Sequence, residues 1–216
     1  DRPRKVFWRG STTGSKYVDL KPGRMYSTKP YLRWTDRGRT VKLFRSMMNI
    51  SNVWFTGVAD PANDPGKDWL KPGSTQGPHD WYKGGRVLLD VDGNSNSWEG
   101  LRWKLLAGGP VLKINSTEGH VQWYYHLLQD GVHLKLVDLD NNDVLAEAAQ
   151  LLDDEARGTA MLRAAMKFSV ETINTNAARK YLDDSILHCW ERREEFSQRD
   201  WRIKTRSQIE MNGDGP

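Results

Sequence analysis

The 216-residue chain has 32 basic and 28 acidic residues, a formal net charge of +4 and a pI of about 9.1. Its mean hydropathy is −0.73, and no stretch approaches the ~18 consecutive apolar residues of a membrane span. These values exclude a membrane span in this chain and a strongly basic nucleic-acid-binding arm. Cys189 is the single cysteine, which excludes an internal disulfide and a metal site built from paired cysteines.

Length and composition favour one domain with a sizeable core. We expect that domain to cover residues 1–200 and a polar tail to cover 201–216. The first residues lead almost directly into an apolar segment, so we expect the chain to be part of a longer protein.

The first predicted strand, Val6–Arg9, runs into a loop of small residues, Gly10–Gly14. Glycine lets the backbone approach a ligand, and hydroxyl and N–H groups donate to phosphate oxygens. Arg9 adds guanidinium donors at the edge of the loop. The loop also fits an ordinary turn, because the Gly-Lys-Ser of a P-loop does not follow it.

A second unit of the same character lies in the middle of the chain. A short apolar strand, Val87–Leu89, precedes a polar segment, Asp90–Ser97, and a predicted helix, Trp98–Leu106. A Gly-Gly-Pro break then leads to another strand, Val111–Ile114. In parallel α/β sheets such a polar loop lies beside a helix N-terminus, where anions bind. Arg102 adds a positive charge nearby.

The remaining periodic segments predict further alternation of helices and strands. We expect a helix over 30–48, a strand over 53–58, a helix over 118–128, a strand over 132–137, and helices over 143–152, 159–173 and 176–197. The arginines of the first helix, Arg37 among them, fit a solvated polar face. The long Pro-, Gly- and Asp-rich stretch 59–85 predicts a functional or mobile loop with one histidine, His79.

This alternation predicts a three-layer α/β fold with a mainly parallel sheet flanked by helices. The polar loops after Val6–Arg9 and Val87–Leu89 would then meet along one edge of the sheet. That arrangement fits a diphosphate site, with Arg9 and Arg102 as counter-charges.

Five motifs in this order resemble glycosyltransferase family 90, which includes fungal capsule-associated xylosyltransferases and Rumi-type protein O-glucosyltransferases. They are FWRGSTTG (7–14), WFTG (54–57), DVDGNSNSW (90–98), Arg102, and LLAGGPVLK (105–113). The resemblance covers roughly residues 5–152.

The resemblance implies a Rossmann-like domain that forms the C-terminal, donor-binding half of a GT-B glycosyltransferase. It also implies transfer of xylose or glucose from a UDP-sugar to a hydroxyl of a glycan or protein, with inversion and without a metal or other cofactor. Nucleic acid is not expected as a partner. The compartment would be the ER or Golgi lumen in a eukaryote and the cytoplasm in a bacterium or virus.

Carried over residue by residue, the resemblance implies a UDP-sugar site made of three segments. Its members are Arg9, Gly10, Ser11, Thr12 and Thr13, then Asp92, Gly93, Asn94, Ser95, Ser97 and Arg102, and finally Glu118. The family's general base is an aspartate upstream of the first motif. Only eight residues precede Arg9, so we expect the base outside this chain.

Two other functions remain open. The missing base and the ten tryptophans also fit a catalytically inactive carbohydrate- or nucleotide-binding domain of the same fold. A nucleic-acid binder, favoured only by the pI and the aromatic content, ranks third.

Overall fold

The computed structural model describes residues 2–11, 36–57, 83–93, 95–97, 99–116, 119–139 and 143–192. These ranges include strands and helices that alternate along much of the chain. They are β1 (Val6–Ser11), α1 (Asp36–Arg45), β2 (Ser51–Gly57), β3 (Val87–Asp90), α2 (Glu99–Leu106), β4 (Val111–Ile114), β5 (Lys135–Val137), α3 (Asp143–Asp153), α4 (Glu155–Glu171) and α5 (Thr175–Glu191).

The five strands form one parallel sheet in the order β2-β1-β3-β4-β5. The two short strands β3 and β4, VLLD and VLKI, are buried along their whole length. Near-continuous apolar runs are typical of parallel strands that helices cover on both faces. The expected α/β fold with a parallel sheet flanked by helices is therefore confirmed.

Successive strand residues alternate between two apolar layers, one on each face of the sheet. The first layer packs under α1 and α3 and includes Val6, Trp8, Phe44, Leu89, Leu112 and Leu151. The second layer packs under α2 and α4 and includes Phe7, Leu88, Leu101, Leu105, Val111 and Phe168. Together they make a sheet sandwiched between helices.

The chain forms one compact unit that ends at Asn174 and another that begins at Thr175. In the second unit, α5 has no buried residue and carries five exposed large apolar side chains, Tyr181, Leu182, Ile186, Leu187 and Trp190. No helix in the described part of the chain combines the length and apolar character that crossing a membrane requires.

Most expected elements occur within a few residues of their predicted bounds, but the helix expected over 118–128 is wrong. The described part of that segment forms turns with one short 3₁₀ helix, Tyr125–Leu127. Its amides bond to carbonyls three residues back, as in Leu127 to Tyr124 and Leu128 to Tyr125. Three consecutive aromatic rings pack edge-on, each against the next, in this segment. A regular helix would point consecutive side chains in different directions around its axis and so would separate these rings. The residues 12–35, 58–82 and 193–216, with His79, lie outside the described residues.

Leu89 lies in the first apolar layer and is fully buried. We expect Leu89→Ala to lower the free energy of unfolding by about 2–5 kcal/mol, since it removes buried methyl groups and leaves a cavity. Urea denaturation measures the loss. Val170→Ala, at a 63% exposed position on α4, is the control and should change stability by no more than ~0.5 kcal/mol. Equal effects in the two variants would contradict this description of the core.

Candidate ligand-binding site

In an open α/β sheet, a crevice lies at the carboxyl edge where the strand order reverses, and in this sheet that position is between β1 and β3. The chain passes from β1 outward to β2 and returns to the other side of β1 as β3, so the strand order reverses between them. The described pairing of the two strands is Val6 with Val87 and Phe7 with Leu88. Such a reversal point is where ligands bind in open α/β sheets. The carboxyl ends of β1 and β3 therefore lie at the same edge of the sheet, as expected.

A network of buried charges lies beneath the loop that follows β3. Asp90, the last residue of β3, contacts the Lys104 ammonium of α2 at 2.6 Å and the Lys113 ammonium of β4 at 3.0 Å. Lys113 also contacts Asp92 at 2.7 Å. These four residues are no more than 6% exposed. Two carboxylates thus face two ammonium groups in a site almost free of solvent contact.

The same carboxylates close the polar loop into a fixed shape. Asp92 Oδ1 accepts a hydrogen bond from the Ser97 amide at 3.0 Å, and Asp90 Oδ2 accepts one from the Ser97 hydroxyl at 3.1 Å. Within the loop, the Gly93 amide donates to the Ser95 carbonyl. Ser97 lies two residues before the start of α2. The network therefore sets where α2 begins.

The pKa values in the network follow from burial and from the neighbouring charges. Burial alone raises the pKa of Asp90, but the ammonium groups of Lys104 and Lys113 outweigh it and hold that pKa well below its usual range. Burial raises the pKa of Asp92, and Lys113 only partly opposes the rise. Burial lowers the pKa of Lys113, but the two carboxylates reverse this, so its net shift is upward.

Arg37 is a residue of this crevice that sequence reasoning assigned to solvent. It lies in the first turn of α1, its Nε donates to the Asp92 carbonyl at 3.1 Å, and its guanidinium stands 5.7 Å from the centre of a Trp8 ring. Burial lowers its pKa, opposed by Asp90 and Asp92. One feature of the sequence order could have identified Arg37 as a site residue. A helix that follows a β-strand in a parallel sheet begins at the carboxyl edge, so its first turn lies beside the site.

The Arg9 side chain turns away from the carboxyl edge. Its guanidinium donates to the Trp8 carbonyl at 2.8 Å, to the Asn52 carbonyl at 2.6 Å and to Asn52 Oδ1 at 2.8 Å. It also stands 4.6 Å from the centre of the Phe7 ring. Asn52 pairs with Phe7, two residues back along β1 from Arg9. Arg9 therefore links β1 to β2 below the crevice.

Arg102 links α2 to the chain just after α4. Its Nε donates to the Ile173 carbonyl at 3.2 Å, and one of its terminal nitrogens lies 3.4 Å from Glu99. Its guanidinium also lies 5.6 Å from the centre of the Trp103 ring. These contacts connect two helices of the second apolar layer.

Of the other predicted site residues, some are described by the structure and the rest lie outside its described part. Gly10 is buried beside Trp8, where the Cβ of any other residue would overlap the indole, so packing also requires a glycine there. Ser11 ends β1, and Gly93, Ser95 and Ser97 belong to the closed loop. Thr12, Thr13, Asn94 and Glu118 lie outside the described residues.

A separate cleft of about 460 Å³ lies at the carboxyl ends of β4 and β5. Its polar lining includes Lys113, Asn115, Ser116, Tyr125 and Asp138. A hydrogen-bonded link joins its region to the polar loop, since Gln122 donates to Asn96 Oδ1 at 2.7 Å and Asn96 donates to the Val121 carbonyl at 2.9 Å. Sequence reasoning missed Lys113 and Tyr125 here, although a lysine within a buried strand is a signal of a specific role.

The buried network predicts a pH-dependent effect of Asp90→Asn. Because the folded pKa of Asp90 lies below its unfolded value, the ionised carboxylate stabilises the fold above pH ~4, and this contribution is lost as pH falls through the folded pKa. We expect a loss of about 3–5 kcal/mol at pH 7, as for other broken buried pairs. The difference from the unsubstituted chain should shrink steadily below pH ~4.

Urea denaturation at several pH values measures this difference. Glu171→Gln, at the exposed Lys167 pair, is the control and should show a small effect across the range. A large effect of Asp90→Asn that stays constant from pH 7 to pH 3 would contradict the ionic role of Asp90.

Comparison with known proteins supports the fold alone. No protein-family model matches the chain, and no curated protein sequence matches it. Seven chains of solved structures resemble it. One, described as the crystal structure of TarM, has a TM-score of 0.51 at 13% sequence identity. The likeness covers 84% of this chain and 35% of TarM, so the chain spans about a third of that structure. TarM is a GT-B glycosyltransferase, and the fold of this chain resembles part of it.

Proposed function

We propose that this chain is the donor-binding domain of a GT-B glycosyltransferase. The proposed reaction transfers a sugar, xylose or glucose, from UDP to a hydroxyl of a glycan or protein, with inversion and without a metal. The main support is the position between β1 and β3 where the strand order reverses and where buried charges hold a polar loop. The fold of the chain also resembles part of TarM. The five family 90 motifs support the same assignment.

The chemistry of transfer places a specific demand on this crevice. Breaking the bond between the sugar and UDP leaves negative charge on the diphosphate. Where no metal ion neutralises this negative charge, fixed N–H groups and guanidinium groups must stabilise it. The first amides of a helix have no carbonyl partner within the helix, and the helix dipole favours an anion at that end. Because Ser97 is held by two carboxylates, these donors need little rearrangement.

Arg37 is a better candidate for the guanidinium that meets the diphosphate than the two arginines predicted from sequence. Arg37 contacts the Asp92 carbonyl directly, whereas Arg9 bonds to Asn52 and Arg102 to Ile173. The proposed donor site therefore consists of the loop from Asp92 to Ser97 with Arg37.

We assign no general base among the described residues. A base must remove the proton of the acceptor hydroxyl, and we expect it elsewhere in the protein, as the family resemblance implies. A catalytically inactive nucleotide-binding domain would share the same donor site. Sugar transfer by a longer form of the protein separates the two.

Calorimetric titration of the chain with UDP tests the proposed site. We expect saturable binding with the same affinity in EDTA and in added Mn²⁺, because guanidinium and amide donors replace the metal. Affinity that appears only with Mn²⁺ would contradict the metal-independent mechanism, and the absence of binding in both conditions would contradict the site itself.

Substitution of the arginines tests which cation meets the diphosphate. We expect Arg37→Gln to weaken UDP binding roughly 10- to 100-fold, since it removes a charged hydrogen-bond donor. Arg37→Lys should restore part of the affinity because it keeps the charge. Arg102→Ala, the matched control on α2, should have a smaller effect. A larger loss in Arg102→Ala than in Arg37→Gln would return the assignment to Arg102.

A further inference from the structure

The two carboxylates of the buried network differ in how completely they are hydrogen-bonded. Asp90 Oδ1 contacts the Lys104 ammonium at 2.6 Å. Asp90 Oδ2 contacts the Lys113 ammonium at 3.0 Å and the Ser97 hydroxyl at 3.1 Å. Asp92 Oδ1 accepts from the Lys113 ammonium at 2.7 Å and from the Ser97 amide at 3.0 Å. Asp92 Oδ2 is buried without a hydrogen-bond partner among the described residues, so the charge of Asp92 is the less completely satisfied of the two.

The two carboxylates also share one ammonium group. Lys113 contacts both of them, and Lys104 adds a second ammonium at Asp90. Where two carboxylates share a site, each disfavours the ionised form of the other, and the less stabilised one has the raised pKa. The pKa of Asp92 is raised accordingly, since burial raises it, Lys113 opposes the rise and the charge of Asp90 adds to it.

A proton on Asp92 Oδ2 would leave the loop in its present shape. Both contacts that hold the loop end on Oδ1, which remains an acceptor in the neutral acid. A neutral carboxyl group also costs less to bury than an incompletely paired carboxylate. Protonation of Asp92 would therefore remove one negative charge from beneath the loop without releasing Ser97.

The other titratable groups around Asp92 keep a constant charge near neutral pH. Asp90 on β3 stays ionised because its pKa is held low, and Lys113 on β4 stays charged because its pKa is raised. Arg37 on α1 donates to the Asp92 carbonyl at 3.1 Å. The Tyr125 ring stands 5.8 Å from the Lys113 ammonium, and burial raises the pKa of Tyr125, so it stays neutral. Among these groups, Asp92 is the one that can gain a proton as the pH falls.

We propose that Asp92 takes up a proton from solvent when an anion binds at the loop from Asp92 to Ser97. A phosphate group at the loop amides and Arg37 brings negative charge close to Asp92, and like charges disfavour the ionised carboxylate. Linkage then requires that the proton and the anion strengthen each other's binding, so the affinity for the anion rises as the pH falls. The inference rests on the proposed function, which places the diphosphate at this loop.

Calorimetric titration with UDP-glucose from pH 8 to pH 5 tests this linkage. UDP-glucose is the probe because its diphosphate is a diester that does not titrate in this range, unlike the terminal phosphate of UDP. We expect the affinity to rise about three- to tenfold as the pH falls. Proton uptake should appear as a difference in binding heat between buffers of different ionisation enthalpy. An affinity that is constant or that falls over this range would overturn the proposal.

Asp92→Asn separates proton uptake from a purely structural role. The amide keeps an oxygen for Lys113 and for the Ser97 amide but carries no charge. We expect this variant to bind UDP-glucose at pH 8 at least as tightly as the unsubstituted chain does, with an affinity independent of pH. Glu171→Gln, at the exposed Lys167 pair, is the control and should keep the pH dependence.

Two results with a folded Asp92→Asn variant would overturn the proposal, namely a pH dependence that persists and a loss of binding at every pH. Its melting temperature reports whether it folds. If it does not fold, the pH profile of the unsubstituted chain still decides the question.

Failure of the proposed function would give a different result. If the unsubstituted chain binds no UDP-glucose at any pH, NMR titration of the Asp92 carboxyl group tests the inference without a nucleotide sugar. Sodium sulfate then supplies the anion, and sodium chloride at equal ionic strength is the control. A higher pKa of Asp92 in sulfate than in chloride would support a proton-linked anion site. The same pKa in both salts would overturn it.

Discussion

The Lys113 ammonium, held between the carboxylates of Asp90 and Asp92, is the interaction on which the rest of this structure depends. Moving a charge from water into a protein interior costs several kcal/mol, and a buried pair recovers this cost only when its geometry is nearly complete. Here two ammonium groups contact two carboxylates, and Asp92 Oδ2 is the carboxylate oxygen that lacks a hydrogen-bond partner among the described residues. The positions of β3, β4, α2 and the intervening loop are therefore fixed relative to one another.

This constraint explains how a polar loop can be rigid at a sheet edge. Short loops of glycine, serine and asparagine have many conformations of similar energy. In this chain the loop from Asp92 to Ser97 is closed by its own first side chain and by the last side chain of β3. Its amides and the first turn of α1, with Arg37, then lie together at the point where the strand order reverses. The proposed diphosphate site would therefore need little reorganisation when its ligand binds.

The sequence predicts the fold because its signals are local. Apolar runs such as VLLD and VLKI, glycine breaks and helical periodicity lie within a few residues of one another, and the strands and most helices occur as expected. The segment around Tyr124 is the exception, since contacts among neighbouring aromatic rings override its helical pattern. The loop after β3 was also predicted, because its composition distinguishes it from both flanking strands.

The side chains that build the site were harder to predict because their partners depend on strand order. Lys113 meets Asp90 and Asp92 only because β4 lies beside β3, and Arg37 meets Asp92 only because β3 lies beside β1. The direction of Arg9 follows from strand alternation, which places it on the same face as Phe7. Sequence spacing alone predicted that Arg9 and Arg102 contact the ligand, and the structure adds that Arg9 bonds to Asn52 and Arg102 to Ile173.

Hydrogen–deuterium exchange of the backbone amides, with and without saturating UDP, shows whether the crevice between β1 and β3 binds the donor. We expect UDP to slow exchange in the loop that ends at Ser97, in the first turn of α2 and in the first turn of α1. The exchange rates of amides in α4, which packs on the second apolar layer, should not change. UDP-dependent protection that excludes the loop and the first turns of α1 and α2 would contradict the claim that the crevice between β1 and β3 is the donor site.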